Sequence, residues 1–206
     1  MTENIAIFIG ASLLLIIAPG PDVLFLIAQG ISRGRKAGLA TALGLSAGNL
    51  VHTTAAALGV SAIFRASPLA FQGVKWAGAA YLLFLAWKAI RHRHELLSLA
   101  SGVELEGRTL FWRGFLMNVL NPKVALFFLA FLPQFAVPEG GAIWLQMLLL
   151  GALFTALVVL VFGAIGAFAG LLGGWIQRGG GGRVNVYLSW TAAAVFLLLA
   201  VRLALP

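Results

Sequence analysis

The sequence contains no cysteine and few charged residues, and each absence narrows the possible classes of protein. Without cysteine, disulfide bonds and metal sites built on thiolates are excluded. Only 10% of the 206 residues are charged, whereas about 25% is usual for a soluble domain. So few charges cannot cover a soluble globule that is 61% hydrophobic, with a mean hydropathy of +1.01. The composition therefore excludes an ordinary soluble domain, a disordered chain and a nucleic-acid-binding protein, and it indicates a membrane protein.

Six long apolar segments account for this composition, each close to the roughly 20 residues that a helix needs to cross a bilayer. They cover residues 4–31, 37–64, 69–89, 114–135, 140–177 and 184–201. The segment 140–177 is too short for two spans and a turn, so we expect one long, tilted span. No basic residue precedes the first segment, so we expect a retained span rather than a signal peptide. The predicted fold is an all-α membrane protein with six transmembrane helices in one domain, residues 1–206.

The distribution of Lys and Arg predicts the orientation, because these residues are retained on the cytoplasmic side of a membrane. Ten of them lie in or beside the loops after the first, third and fifth spans, and three lie on the other side. The basic loop at residues 91–113 is therefore expected to be cytoplasmic. Both termini are predicted to lie outside the cytoplasm.

A short internal similarity divides the chain into two halves. The first span contains Pro-Gly-Pro-Asp-Val at residues 19–23, and the fourth contains Asn-Pro-Lys-Val at residues 121–124. Because each half holds three spans, the second half must enter the membrane from the opposite side, as in the inverted repeats of many secondary transporters. We therefore predict two inverted three-helix repeats, about 1–95 and 106–206, with the first and fourth helices broken at their prolines.

The first break should expose backbone carbonyls inside the membrane. Proline has no N–H and clashes with the carbonyl one turn earlier, so the two prolines should free carbonyls near Leu15 and Ile17. Such carbonyls need partners within the protein or in a water-filled cavity. Gly20 allows the chain to turn, and Pro21 and Asp22 suit the first turn of a new half-helix.

The second break places a positive charge at a helix start. Asn121 suits the N-cap and Pro122 the first helical position. Lys123 then lies at the positive end of the helix dipole, where an anion, either Asp22 or a substrate carboxylate, would offset its charge. An ionisable residue within a span is costly and marks a functional site by default. The alternative interpretation is that the prolines are structural kinks and that Asp22 and Lys123 form a stabilising pair.

The second and fifth spans each carry a face of small residues, and the second also carries a polar stripe. In the second span small residues recur every four positions and predict close helix packing: Ala40, Gly44 and Gly48. A neighbouring polar stripe comprises Ser46, Asn49 and Thr53, with His52 beside it. The stripe serves either interhelical hydrogen bonding or a cavity wall that recognises the substrate. In the fifth span one glycine face predicts packing or a dimer seam: Gly163, Gly166, Gly170 and Gly173.

These motifs together resemble the LysE/RhtB-type amino-acid exporters of bacteria, over essentially the whole chain. The resemblance rests on Ala-Pro-Gly-Pro-Asp at 18–22, Gly-Leu-Ser-Ala-Gly-Asn at 44–49 and Leu-Asn-Pro-Lys at 120–123. It implies a multi-pass carrier of the bacterial inner membrane, not an enzyme, that exports amino acids or close derivatives and is driven by the proton gradient. The substrate is left open, with small neutral amino acids such as homoserine and threonine usual in the RhtB branch and lysine or arginine in the other.

The expected substrate-binding and coupling residues are Pro19, Gly20, Pro21, Asp22, Ser46, Asn49, Asn121, Pro122 and Lys123. Lys123 and the half-helix at Asn121 would bind the substrate carboxylate, the freed carbonyls and Asp22 would bind its ammonium group, and Asp22 would carry the proton. The expected partners are an amino acid, protons and membrane lipids, with no nucleic acid and no cofactor, and a homodimer is possible.

Two alternative functions are weaker. A metal-ion exporter should carry several carboxylates, His or Met along its spans, and Asp22 and His52 alone are a poor coordination set. A membrane enzyme or scramblase acting on lipid headgroups through Asp22 and Asn49 should carry more His, Asp or Glu near a membrane face. His92 and His94 suit a solvated loop better than a metal site, and no metal site is predicted.

Overall fold

The computed structural model describes residues 2–66, 68–91, 106–137, 140–175 and 181–204. These ranges contain helices and no β-strand, which confirms the predicted all-α class. The helices are α1 (Thr2–Ile17), α2 (Pro21–Arg33), α3 (Arg35–Ala66), α4 (Pro68–Arg91), α5 (Gly107–Val119), α6 (Pro122–Leu126), α7 (Ile143–Trp175) and α8 (Gly181–Ala204). A π-helical segment, Phe127–Phe131, and a 3-10 turn, Leu132–Phe135, continue α6.

The first pair of helices meets at the Pro-Gly-Pro sequence. Helix α1 ends at Ile17, and α2 begins at Pro21 after an extended N-cap, Gly20, so that the two helices are bent by 56°. Pro21 occupies a position where its missing N–H costs nothing, and Asp22 lies in the first turn as the sequence predicts. Helix α2 ends at Gly34, whose φ of +83° is readily adopted by glycine.

The second pair of helices meets at the Asn-Pro sequence. The Asn121 Oδ1 accepts a hydrogen bond from the Lys123 backbone N–H at 3.0 Å, which confirms Asn121 as the N-cap of α6. Pro122 occupies the first turn, as expected. Between Gly107–Val119 and Pro122–Phe135 the chain bends by 47°.

Among the described helices, one is long and apolar enough to cross a membrane, at Ile143–Leu171 of α7. The number rises to three if each bent pair of helices counts as one span. Helix α7 is continuous, as expected for the long apolar segment 140–177. Its outer face is apolar, with Leu160 and Leu171 about 70% and 68% exposed. An exposed apolar helix face of this kind suits contact with lipid.

Helix α3 lies between α5 and α7, while α4 packs against α8 and α2 against α7. Glycines allow these close approaches. A Cβ at Gly44 would overlap the Phe111 carbonyl of α5, and one at Gly48 would lie only 2.5 Å from the Asn118 Oδ1. The predicted packing face of the second span is therefore confirmed.

The glycine face of α7 is used in part for packing within the chain. A Cβ at Gly166 would overlap the backbone of Gly38, and one at Gly170 would overlap that of Arg35. Gly163 has no neighbour within 4 Å, and the surroundings of Gly173 lie outside the described residues. Gly166 and Gly170 thus bring α7 against the start of α3.

Replacing Gly44 by Ala should destabilise the fold because the new methyl group overlaps a backbone carbonyl that cannot rotate away. Overpacking of this kind costs about 1–3 kcal/mol, which should lower the thermal unfolding midpoint of the detergent-solubilised protein. Gly59→Ala is the matched control, since Gly59 lies in the same helix with no neighbour within 4 Å. An equal midpoint for the two variants would contradict this account of the α3–α5 contact.

Candidate functional site

A cavity of about 380 Å³ lies where α2 and α6 begin, and α4 and α8 form its opposite wall. Its lining residues are Pro19, Gly20, Pro21, Leu24, Tyr81, Phe84, Leu85, Lys88, Asn121, Pro122, Lys123 and Phe196. The structure thus brings six of the nine predicted site residues together around one space. The volume is within the range of roughly 300–1,000 Å³ that small-molecule sites occupy.

The Lys123 side chain lies at the first break, against the carbonyl end of α1. Its Nζ donates hydrogen bonds to the carbonyl oxygens of Leu15, at 3.3 Å, and Ala18, at 3.1 Å. The Leu15 carbonyl is free because Pro19 has no N–H to offer it. The second carbonyl is Ala18 rather than the predicted Ile17, since the chain leaves the helix after Ile17 and turns Ala18 toward the break.

The surroundings of Lys123 hold its ammonium group in place. A Cβ at Gly20 would lie 3.0 Å from Nζ, so glycine leaves the room that the ammonium group occupies. The Phe196 ring centroid lies 5.7 Å from Nζ, a distance that permits a cation–π contact. Lys123 is only 4% exposed, yet it lines the cavity.

Asp22 lies on the other side of Lys123, away from the large cavity. Its Oδ2 accepts a hydrogen bond from the Asn118 Nδ2 at 2.7 Å, while its Oδ1 is buried without a partner. Asp22, Asn49, Asn118 and Lys123 share the lining of a second, much smaller space of about 10 Å³. This volume is close to that of one water molecule.

The described contacts include no direct ion pair between Asp22 and Lys123, because Lys123 is bonded to carbonyls and Asp22 to an amide. The stabilising-pair alternative then depends on an electrostatic interaction without a direct ion pair. Lys123 and His52 still act electrostatically on Asp22, and they are the charged or titratable side chains that do so.

Asn118 is a site residue that the sequence reasoning missed. It lies in the last turn of α5, and Gly48 of α3 provides the space for its side chain. Its backbone carbonyl accepts a hydrogen bond from the His52 Nε2 at 3.0 Å. The available signal was a second amide within the fourth apolar segment, three residues before Asn121.

The polar stripe of α3 bonds mainly to its own helix. Ser46 Oγ donates to the Ala42 carbonyl at 2.7 Å and Thr53 Oγ1 to the Asn49 carbonyl at 2.8 Å. Asn49 lines the small space beside Asp22, whereas Ser46 lines neither space. The structure therefore places Asn49, but not Ser46, with the other predicted site residues.

Among the described residues, no group of three or more His, Cys, Asp or Glu is arranged to hold a metal ion. His92 and His94, with most of the basic loop at 91–113, lie outside the described residues.

The described part of the chain is apolar and helical, and its cavity reaches two helix breaks. These features are typical of membrane translocators, in which irregular backbone is tolerated where it lines a cavity. The LysE type translocator family matches residues 13–206. The chain therefore belongs to this family, which consists of transporters rather than enzymes.

Several relatives resemble the chain over most of their length. A homoserine/homoserine lactone efflux protein of Salmonella typhimurium is 31% identical over 94% of this chain and 92% of its own. An uncharacterized membrane protein of Vibrio cholerae is 34% identical over 78% of each chain. A leucine efflux protein of an Enterobacter species is 32% identical over 64% of this chain and 63% of its own. No solved structure matches the chain.

Proposed function

We propose that the protein exports small neutral amino acids or close derivatives from the cytoplasm in exchange for protons. The observation that carries the proposal is the pair of donors on the 380 Å³ cavity, the Lys123 ammonium group and the unpartnered Asn121 Nδ2. Cationic and amide N–H groups are the donors that bind a carboxylate. The names of the relatives, homoserine/homoserine lactone efflux and leucine efflux, favour an amino acid as the carboxylate-bearing substrate.

The hydrogen bonds of Lys123 suggest how the site takes a zwitterion. In the structure the Leu15 and Ala18 carbonyls are occupied by the Lys123 ammonium group. When Lys123 turns toward a substrate carboxylate in the cavity, these carbonyls become available for the substrate's ammonium group. The proposed exchange keeps every charge and every freed carbonyl paired within the membrane.

Asp22 is proposed as the proton carrier. It is 1% exposed, it has one free carboxylate oxygen, and it is the acidic residue that lies within a predicted span. A buried ionisable group beside a helix break is a usual element of a proton relay. Protonation of Asp22 from the outer side would release the substrate, and its deprotonation toward the cytoplasm would prepare the site for the next one.

The proposed architecture has six spans in two inverted repeats, 1–95 and 106–206, in the bacterial inner membrane. Each bent pair, α1 with α2 and α5 with α6, would cross the bilayer as one broken span. Support comes from the contact between the breaks, since Lys123 of the second break is bonded to Leu15 and Ala18 of the first. Two equivalent breaks that meet in this way are expected near the axis between inverted repeats.

Reporter fusions at residue 206 should show the C-terminus outside the cytoplasm. We expect activity from alkaline phosphatase, which folds in the periplasm, and none from a reporter that needs the cytoplasm. Moving the charges of Arg33, Arg35 and Lys36 out of their loop should weaken this orientation, because positive charge resists translocation. High activity of a cytoplasmic reporter at residue 206 would reverse the proposed topology.

Export itself should be visible in cells that are loaded with dipeptides and that express the protein. We expect homoserine, leucine or another small neutral amino acid to accumulate in the medium at least several-fold above the empty-vector control, measured for all amino acids by mass spectrometry. The Lys123→Met variant is the matched control for expression. Equal accumulation of every amino acid with and without the protein would contradict the proposed function.

A further inference from the structure

We propose that the Asn121 side chain couples substrate binding to the protonation of Asp22, by donating one N–H to the Asp22 carboxylate and the other to the substrate carboxylate. This inference rests on the proposed function and deepens it. It gives Asn121 the role of a substrate-binding residue that links the large cavity to Asp22, in addition to its role as the N-cap of α6.

The orientation of the Asn121 amide is fixed by its cap. Its Oδ1 accepts from the Lys123 backbone N–H at 3.0 Å, and only the oxygen of the amide is able to accept that bond. The Nδ2 must therefore point the other way. It is buried without a hydrogen-bond partner, in a residue that is 3% exposed. A buried donor without a partner is costly, and it marks a position where a partner is expected.

The two partners that Nδ2 lacks lie on its two sides. Asn121 lines the large cavity, where a substrate carboxylate would lie. Asp22 lies near the Asn121 side chain, close enough for the two to interact, although Nδ2 and Oδ1 do not meet the geometry of a formed hydrogen bond. Because Asn118 holds the Asp22 Oδ2, the other oxygen, Oδ1, is left as an unpartnered acceptor. An NH₂ group has two donors, so it can serve an acceptor on each side at once.

In this arrangement proton binding and substrate binding oppose each other, as the exchange of one for the other requires. A deprotonated Asp22 accepts one N–H, which holds the amide with its second N–H directed into the cavity. Protonation of Asp22 at Oδ1 places a hydrogen where the acceptor was, so the amide loses its anchor and the substrate carboxylate loses a donor. Proton binding therefore weakens substrate binding, and by linkage substrate binding weakens proton binding to the same extent.

The Asn121→Ser variant removes the proposed coupling role of Asn121 and keeps its role as the N-cap of α6. Serine is as good an N-cap as asparagine, so α6 should still begin at the same residue, but the NH₂ group is lost. Gln134→Ser is the matched control, because the Gln134 amide bonds within its own segment, to the Ala130 carbonyl at 3.0 Å, and lines neither cavity.

The transport test uses purified protein in liposomes with radiolabelled homoserine and leucine as probes. With one proton exchanged per amino acid, a difference of one pH unit should sustain about a tenfold concentration ratio in the wild type and in Gln134→Ser. In Asn121→Ser we expect downhill flux with a KM about tenfold higher or more, and a ratio close to one. An unchanged ratio in Asn121→Ser would overturn the inference and leave the proposed function standing.

An infrared measurement tests the proposed interaction between Asn121 and Asp22 in the absence of a substrate. The band of the protonated Asp22 carboxyl group is assigned by its loss in Asp22→Asn, and its titration midpoint is then compared between the wild type and Asn121→Ser. We expect the midpoint to move by about one pH unit. If the wild type transports neither probe, the proposed function fails for these substrates. An unchanged midpoint overturns the inference in either case.

Discussion

Replacing Asp22 by Asn should abolish export against a concentration gradient while leaving the protein folded. The new side chain has the same size, and its oxygen is able to accept the hydrogen bond that the Asn118 Nδ2 now donates to Asp22 at 2.7 Å. It has no proton to exchange at any physiological pH. The proton gradient should therefore cease to drive transport, although substrate can still exchange down its own gradient.

The expected size of this effect follows from the coupling. If one proton is exchanged per amino acid, a difference of one pH unit is equivalent to about 1.4 kcal/mol and sustains about a tenfold concentration ratio. The ratio should fall from about ten to about one in Asp22→Asn, measured with radiolabelled leucine or homoserine in liposomes. Ser32→Ala is a control on the same helix, since the Ser32 hydroxyl is exposed and bonds to the Ala28 carbonyl of its own turn.

A wild-type concentration ratio in Asp22→Asn would remove Asp22 from the coupling mechanism. Asp22 would then be a structural group that Asn118 holds against α5. The thermal unfolding midpoint distinguishes this outcome from misfolding, because a variant that is folded and uncoupled should unfold near the wild-type temperature.

The sequence was sufficient to predict the class of fold and the ends of the helices that form the site. Few charges and long apolar segments require membrane helices, whatever the details of packing. The start of α2 at Pro21 and of α6 at Pro122 follows from local rules, because proline has no N–H and a fixed φ that suits a first turn. Close packing at Gly44 and Gly48 follows from the small size of these residues at helical spacing.

The distribution of groups around the site could not be predicted in the same way. Spacing along the chain placed Asp22 and Lys123 near each other, but it did not show that Lys123 lines both spaces whereas Asp22 is separated from the large cavity. That separation depends on the bends of 56° and 47° and on the approach of α5 to α3, which are tertiary features. Asn118 was missed for the same reason, because its role depends on a contact across 96 positions of the sequence.

The protein is packed more tightly on one side of Lys123 than on the other, and this difference bears on the side to which the large cavity opens. Beyond the first break an apolar space of only about 10 Å³ is lined by residues such as Leu15, Phe127 and Phe131. The Phe127 ring stacks on Phe131, with centroids 5.1 Å apart, and contacts Phe154 at 4.8 Å. These rings belong in part to the π-helical segment, a geometry that is common at functional sites. In the proposed orientation, this packing closes the outer side while the large cavity extends toward the cytoplasmic end of α4.

Replacing Lys123 should have the second large effect, on both stability and substrate binding. Lys123→Ala leaves the Leu15 and Ala18 carbonyls buried without their donor and removes a charge that acts on Asp22. A buried acceptor that loses its partner typically costs about 1–3 kcal/mol, so the loss at two carbonyls should clearly lower the thermal unfolding midpoint of Lys123→Ala. Transport of leucine or homoserine should become undetectable, but lower stability alone would produce the same loss.

Lys123→Met separates the two effects, because methionine retains most of the side-chain length that packs beside Phe196 and lacks only the ammonium group. A charge-assisted hydrogen bond contributes about 1.5–3 kcal/mol, so its loss should raise the KM by about 10- to 100-fold in protein that is still folded. The KM is measured in liposomes with variant protein that has been purified as a single, monodisperse species. If Lys123→Met transports with the wild-type KM, the ammonium group serves only to satisfy the carbonyls of the first break. The substrate carboxylate would then depend on the Asn121 Nδ2, the unpartnered donor that the described residues provide on that wall of the cavity.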